Sequence, residues 1–289
     1  MKKWIAILLA GLLLLACIGT AAAEEAYGFQ GTETIEEQLL YEENGLKVTT
    51  AGLTAINDIP VLKLEIENTA GKAFCFHLME NAINDWEWDA SLCTYDEAEA
   101  TIDETYDLTV EDGGTLACGL DFANEYYYSL CGIKGVGKIS FRLHVCDPDS
   151  GETFFCTPAL ELPTSLGADL PGTYADTGSL AYETGDVRIV MAGLNEEFDS
   201  AHALIYINNY SDVPVEISAE NCTVNGQQVE AWFSAQVFPG RQCLAEMGFS
   251  EDFAEIHELS AAFRVEEYAP YEDGGAKLIG LSDIVQFEY

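Results

Sequence analysis

The chain has 289 residues, with 50 acidic side chains against 12 lysines and arginines, so its formal net charge is −38 at pH 7. This excess of negative charge repels nucleic acid and anionic lipid head groups, which excludes nucleic-acid partners and membrane binding through a basic face. Hydrophobic residues make up 48% of the chain and charged residues 21%, a composition typical of globular proteins.

The N-terminus has the layout of an export signal. Met1-Lys2-Lys3 is positively charged, and Trp4 to Leu15 forms an apolar stretch that is too short to span a bilayer comfortably. Leu14-Leu15-Ala16-Cys17 then resembles the bacterial lipobox, whose cysteine carries lipid after cleavage. We therefore predict a lipoprotein signal peptide at 1–16 and lipid attachment at Cys17. Cleavage after Ala21-Ala22-Ala23, which would give a secreted protein, is the alternative, and both routes export the chain.

Two segments have the composition of connectors. Residues 17–37 are rich in Ala, Glu and Gly, which predicts a flexible tether. Residues 162–179 contain two prolines and three glycines, which predicts a linker. The predicted domains are therefore residues 38–161 and 180–289, and we expect each to fold as its own unit.

The two predicted domains contain an internal repeat. Residues 39–90 align with 180–231 without a gap, and 11 of these 52 positions are identical. Apolar and polar residues alternate strictly in Leu62 to Glu67, and Ala203 to Ile207 repeats the apolar positions. This period of two predicts a strand with one buried face in each copy.

Several short strands separated by turn signals follow this pattern in both copies, whereas helical periods are scarce. Asn68 and Asn209 are each followed by residues that favour turns, and Asn225-Gly226 is a strong hairpin signal. One segment, Ser250 to Leu259, is compatible with a short helix. The sequence thus predicts an all-β fold of two tandem antiparallel β-sandwiches.

The whole pattern resembles the immunoglobulin-like repeat domains of uncharacterised secreted proteins and lipoproteins of Gram-positive gut bacteria, and the second copy fits it better than the first, which adds cysteines and aromatic residues. The resemblance rests on Tyr182 to Leu194, Ile205 to Asn209, Val224-Asn225-Gly226, Pro239-Gly240 and Met247 to Phe249. It implies two immunoglobulin-like sandwiches displayed outside the cell. It implies no catalytic residues.

Eight cysteines remain if Cys17 carries lipid, and an even number in an exported protein suggests disulfides. Cys222 and Cys243 are the only pair in the second copy, and Cys146 and Cys156 flank a turn symmetrically. The other four, Cys75, Cys93, Cys118 and Cys131, allow three pairings. Buried free thiols are the alternative for all eight.

Two further patterns are compatible with ligand sites. Cys75-Phe76-His77 and His144-Val145-Cys146 each place a Cys and a His on one strand face, which would suit zinc if the two strands were neighbours. The absence of a Cys-x-x-Cys spacing favours disulfides or buried thiols instead. Trp86 and Trp88 share one strand face, which is typical of core packing and also of an aromatic ligand platform.

The sequence therefore predicts a non-enzymatic lipoprotein on the extracellular face of the bacterial cell membrane. Its tandem domains would act as a binding or spacer module, with the lipid in the membrane and an extracellular protein or glycan as partner. We expect no cofactor, no metal site and no catalytic residues. The first alternative is a module that binds a glycan, a peptide or a metal through the aromatic first copy, and an extracellular hydrolase comes third.

Overall fold

The structure is a computed structural model that describes residues 27–57, 59–105, 108–122, 125–167, 178–195, 200–268 and 277–289. Within these residues the fold is antiparallel β structure with one short helix, α1 (Glu125–Leu130). The all-β prediction is therefore confirmed. No helix in the described ranges is long and apolar enough to cross a membrane. We call residues 27–167 the first half and 178–289 the second half.

The first half contains two sheet layers. The first layer has the strand order β1-β2-β3-β9-β6-β7, and the second joins β10 and β4, flanked by β8, β11, β12 and β5. The strands are β1 (Gln38–Glu43), β2 (Leu46–Ile56), β3 (Ile59–Asn68), β4 (Phe74–Ile83), β5 (Trp86–Glu87), β6 (Ser91–Asp96), β7 (Thr101–Glu104), β8 (Leu108–Val110), β9 (Thr115–Asp121), β10 (Lys138–Cys146), β11 (Thr153–Cys156) and β12 (Leu160–Pro163).

The second half repeats this arrangement. The strand order β13-β14-β15-β20 corresponds to β1-β2-β3-β9, and β16 with β21 corresponds to β4 with β10. The strands are β13 (Ser179–Glu183), β14 (Val187–Asn195), β15 (His202–Asn209), β16 (Val215–Val224), β17 (Gln227–Gln228), β18 (Ala231–Trp232), β19 (Ser234–Val237), β20 (Gln242–Phe249), β21 (Glu258–Glu267), β22 (Leu278–Leu281) and β23 (Val285–Glu288).

The alternation of residue types places a separate apolar core between the two layers of each half. In β3, Leu62, Leu64 and Ile66 are at most 1% exposed, and they pack against buried residues of β4 and β10 such as Phe76 and Phe141. In the second half, residues of β14, β15, β16 and β21 form the corresponding cluster. The period of two in the sequence therefore sets which face of each strand is buried.

The irregularities of the two halves also correspond. The β1–β2 pairing shifts register between Leu39 and Tyr41, and β13–β14 shifts between Leu180 and Tyr182, 141 positions later. A second shift next to Gly52 recurs next to Gly193. Because a β-bulge is a specific local deviation, its recurrence at the same offset supports one repeated unit.

The two halves are joined directly. Strand β5 of the first half pairs in parallel with β20 of the second half at Trp86 and Gln242, so one sheet of 11 strands runs through both. Val190 and Leu204 of the second half belong to the core cluster of the first. The junction forms because the outward face of the layer β13-β14-β15-β20 also carries apolar side chains, which pack against the first half.

The segment before β1 packs against the first half. Glu33 is 2% exposed, and its carboxylate accepts a hydrogen bond from the backbone N–H of Val136 at 3.2 Å. Gly28 donates its N–H to the carbonyl of Ile133 at 2.7 Å. The described part of the predicted tether is therefore attached to the sandwich.

At the other predicted connector, β12 extends the first half to Pro163. The hydroxyl of Thr164 donates a hydrogen bond to the carbonyl of Val136 at 2.6 Å, so the residue that follows β12 is also bonded to the first half. Residues 168–177 of the predicted linker lie outside the described residues.

Ser250 to Leu259, where the sequence is compatible with a short helix, forms none, and β21 begins within that stretch, at Glu258. Its backbone groups are bonded to another segment instead. Asn225 donates its side-chain amide to the carbonyl of Glu255 and accepts the backbone N–H of His257 at 2.9 Å. These bonds replace the hydrogen bonds that a helical turn would need.

The only helix among the described residues, α1, contains the three consecutive tyrosines Tyr126 to Tyr128.

Candidate functional site

The junction between the halves is organised by Arg241. Gly240 precedes it with a positive φ of 72°, which ends the turn after Phe238 and leads into β20. Arg241 is 8% exposed, and its guanidinium donates hydrogen bonds to the carbonyl of Glu80 at 2.6 Å and to the hydroxyl of Ser140 at 3.1 Å. A second-half side chain thus binds two strands of the first half.

Glu87 is the acidic partner of Arg241 at the junction. One carboxylate oxygen lies 3.5 Å from the Arg241 guanidinium, and the other accepts the backbone N–H of Phe238 at 2.8 Å. Burial raises the pKa of Glu87 to about 7, although the nearby Arg241 opposes this change. Glu87 therefore titrates near neutral pH while it holds residues of the second half.

Trp86 and Tyr206 form the apolar part of the junction. Trp86 is fully buried, and its ring centroid lies 5.8 Å from that of Tyr206 in β15. The hydroxyl of Tyr206 donates to the side chain of Gln242 at 2.8 Å, and the backbone N–H of Gln242 donates to the carbonyl of Asp85 at 3.0 Å. Apolar packing and hydrogen bonds therefore act together at β5 and β20.

A cleft of about 760 Å³ lies beside this junction, and both halves line it. The first half contributes the end of β4, the segment after β5 and Tyr127, whereas the second half contributes β19, β20 and Tyr268. Four carboxylates line the cleft, namely Glu80, Glu87, Asp89 and Glu246. No lysine or arginine does so among the described residues. The arrangement can attract a positively charged ligand.

Protein groups already contact three of these carboxylates. Glu246 accepts the side-chain amide of Asn195 at 2.5 Å, and its other oxygen lies 3.6 Å from a ring nitrogen of His202. Glu80 accepts a guanidinium N–H of Arg142 at 2.6 Å. Asp89 differs because it is exposed. Asp89 is therefore the most accessible carboxylate of the cleft.

The tryptophans of the first half lie in the core, as the packing interpretation predicts. Trp88 is 7% exposed, its ring lies 4.5 Å from that of Tyr128, and its indole N–H donates to the carbonyl of Phe122 at 3.4 Å. Trp88 and Tyr127 still reach the wall of the cleft. Among described residues, the strongly exposed aromatic side chains are in the second half, with Trp232 at 64% and Tyr210 at 57%.

The structure places the predicted disulfide residues as follows. Cys222 and Cys243 are free thiols in different sheets, on β16 and β20, and burial raises their pKa values to about 11 and about 12. The β10–β11 register sets Cys156 opposite His144, so the hairpin does not place Cys146 directly opposite Cys156. Both bridges stay predictions for the exported protein.

The remaining predicted positions divide into two groups. Cys17, the predicted lipid-attachment residue, lies outside the described residues. The four cysteines without an assigned pairing are all buried, namely Cys75, Cys93, Cys118 and Cys131.

Sequence reasoning missed Arg241 and Glu87. Arg241 could have been noticed as one of only 12 basic residues, placed after a Pro-Gly turn at the start of a matched strand. Its partner Glu87, however, is 154 positions away and sits in an ordinary alternating pattern. The pairing depends on how the halves dock, which no local pattern describes.

No protein-family model matches the chain, and no curated protein does. The chain has distant structural similarity to several solved structures. The YadV chaperone is 10% identical with a TM-score of 0.24, over 78% of this chain and 92% of the chaperone chain. A conserved domain protein from Bacillus anthracis is 11% identical with a TM-score of 0.21, over 90% and 91% of the two chains.

A third likeness is to Bacteroides uniformis beta-glucuronidase 2, solved in covalent complex with cyclophellitol-6-carboxylate aziridine. It is 11% identical with a TM-score of 0.22, and the match covers 79% of this chain but 26% of the glucuronidase chain. TM-scores this low carry no argument about function.

Proposed function

We propose that this chain is an exported, lipid-anchored surface protein without catalytic activity, in which two immunoglobulin-like repeats bind a cationic ligand in the cleft between them. The observation that carries the proposal is the cleft itself, because elements of both halves line it and four of its lining residues are acidic. A basic peptide segment is the ligand class that best matches this charge.

The junction supports a binding role over a simple spacer. A spacer needs only a connection between its repeats, whereas here Arg241 and Trp86 hold the two walls of the cleft in a fixed relation. Fixed walls reduce the entropy that is lost on binding, which favours recognition of a ligand of defined shape.

The contacts of the carboxylates favour binding over hydrolysis. A glycoside hydrolase needs two carboxyl groups that face the same bond, one of them available to give a proton. Glu246 and Glu80 instead accept hydrogen bonds from Asn195 and Arg142. Glu87 already accepts the N–H of Phe238. These carboxylates therefore act as structural groups and as a source of negative potential.

Isothermal titration calorimetry with a lysine tripeptide tests the proposal, with a glutamate tripeptide as the matched probe of opposite charge. We expect binding of the lysine peptide only, weakened by added salt. Asp89→Asn removes the accessible cleft carboxylate and should weaken binding by about fivefold, equivalent to about 1 kcal/mol. Asp149→Asn removes an exposed carboxylate from the β10–β11 turn and should leave affinity unchanged.

Two results would count against the cleft. Equal weakening by Asp89→Asn and Asp149→Asn would show that the peptide follows net charge and not the cleft. If the lysine peptide does not bind even at low salt, the cleft does not bind a cationic ligand, and the spacer role is the better explanation.

A further inference from the structure

Four metal-ligating side chains lie together on the outward face of the first half. In β4, Phe74 and Phe76 are buried in the core between the layers. Since successive side chains of a strand point to opposite faces, Cys75 and His77 point to the other face of the same sheet. Strand β10 pairs with β4 and presents its own Cys and His there.

The register brings these four residues into two opposed pairs. Cys146 is the cross-strand partner of Cys75, and His144 is the partner of His77. The sulfur atoms of the two cysteines and a ring nitrogen of His77 all lie within 4.8 Å of one another. The rings of His77 and His144 are stacked with centroids 5.7 Å apart. The condition that the two strands be neighbours, on which a zinc site depended, is therefore met.

The surroundings of the cluster suit a metal ion. Cys75 is 5% exposed and Cys146 is 1% exposed, although both lie on the outward face of the sheet. His77 is only partly buried, which leaves a route for an ion from solvent. The ring of His144 stacks on that of His77, and one of its nitrogens lies 2.8 Å from the hydroxyl of Thr153. Two sulfur ligands and an imidazole are the donor set that zinc prefers.

The fold itself does not require this cluster. The strand that corresponds to β4 in the second half is β16, and it carries Glu216 and Ser218 at the equivalent positions. Their cross-strand partners are Glu266 and Arg264. The same backbone therefore accommodates ordinary polar side chains there, and the sulfur and imidazole groups of the first half are a local feature.

We propose that Cys75, His77 and Cys146 bind one zinc ion on the outward face of the first half, with a solvent molecule as the fourth ligand. Zinc bonds to sulfur and nitrogen are about 2.3 and 2.0 Å long, which puts ligand atoms about 3.5 Å apart in a tetrahedron. The ligand atoms now lie within 4.8 Å of one another, so binding would draw them closer by up to about 1 Å. Binding converts the two thiols to thiolates and releases two protons to solvent.

Cobalt(II) is the spectroscopic probe for this site, because thiolate ligands give it a charge-transfer absorption that oxygen ligands do not. Titration of the reduced full chain should give one cobalt per chain with this band, and zinc should displace it. Cys146→Ser and His77→Asn should weaken cobalt binding by at least about tenfold, since even groups that only support a ligand contribute this much. Cys222→Ser, a buried thiol of the other half, is the matched control and should bind normally.

A second measurement keeps the test valid if Cys146→Ser does not fold. Zinc should raise the melting temperature of the wild-type chain but not that of His77→Asn, whose altered side chain is only partly buried. The proposal is overturned if the wild-type chain gives no thiolate band, or if the band survives in both ligand variants. A disulfide between Cys75 and Cys146 in protein isolated from cells, detected by mass spectrometry, overturns it as well.

Discussion

Asn68 and Asn209 make the same hydrogen bonds at the same position of the two halves. Each is fully buried, and each side-chain amide donates to two carbonyls, those of Lys72 and Val110 in the first half and of Val213 and Val237 in the second. Each side-chain oxygen also accepts a backbone N–H two residues further on. One asparagine therefore closes the turn between the two layers in each half.

Replacing either asparagine with alanine should destabilise the protein strongly. Asn209→Ala removes the side-chain donor to the carbonyl of Val237, one of two side-chain donors to the carbonyl of Val213, and the acceptor for the N–H of Ser211. We therefore expect the free energy of unfolding to fall by about 2–4 kcal/mol. Urea denaturation followed by circular dichroism measures this change. Asn208→Ala is the matched control, because Asn208 is partly exposed and, among the described residues, its side-chain amide donates one hydrogen bond, to the hydroxyl of Tyr206 at 3.2 Å. A loss equal to that of the control would mean that water replaces the asparagine.

Trp86→Ala should weaken the junction between the halves. Removal of a fully buried tryptophan leaves a cavity, and we expect a loss of about 3–5 kcal/mol. The wild-type chain should melt in one transition, because β5 and β20 share a sheet, whereas the variant should melt in two. Differential scanning calorimetry separates these cases. Trp232→Ala, at a residue that is 64% exposed, should change little. Two transitions in the wild-type chain would show that the halves are independent.

Glu87 should make stability depend on pH near neutrality. Burial raises its pKa to about 7 in the folded chain, above the ordinary value of 4.5. The folded state therefore binds this proton more tightly than the unfolded state, so the contribution is complete below pH 4.5 and is lost as pH rises through 7. Relative to Glu87→Gln, the wild-type free energy of unfolding should fall by about 3 kcal/mol across this window.

The variant comparison removes the effect of net charge, which also changes with pH. Glu99→Gln, at an exposed position, serves as the control and should follow the wild-type profile. Parallel profiles for wild type and Glu87→Gln, measured by urea denaturation at several pH values, would show that Glu87 stays ionised in the folded chain.

Cys17→Ala should release the protein from the cell. Two acyl chains on Cys17 would anchor it stably, where a single chain does not. We expect the wild type in the membrane fraction with incorporated labelled palmitate, and the variant either in the medium or retained with its signal peptide. Cys156→Ala should stay in the membrane fraction. Wild-type protein in the culture fluid with Glu24 as its first residue would instead identify ordinary secretion.

The local features of the fold could be predicted from the sequence, because they depend on neighbouring residues. The alternation in Leu62 to Glu67 sets a buried face, and the offset between Asn68 and Asn209 indicates a repeat. The site depends on contacts between distant residues. Trp86 and Gln242 meet only after both halves have formed. The Cys75–Cys146 pairing likewise joins residues 71 positions apart and requires the register of β4 with β10.

The attachment of the segment before β1 limits how far the body of the protein can stand from a membrane. If Cys17 carries lipid, the ten residue steps from Cys17 to Tyr27 reach at most about 35 Å. From Gly28 onward the chain is bonded to Ile133 of the first half. The first half would then be held near the bilayer surface, and a partner of the cleft would have to bind within a few tens of ångströms of the lipid head groups.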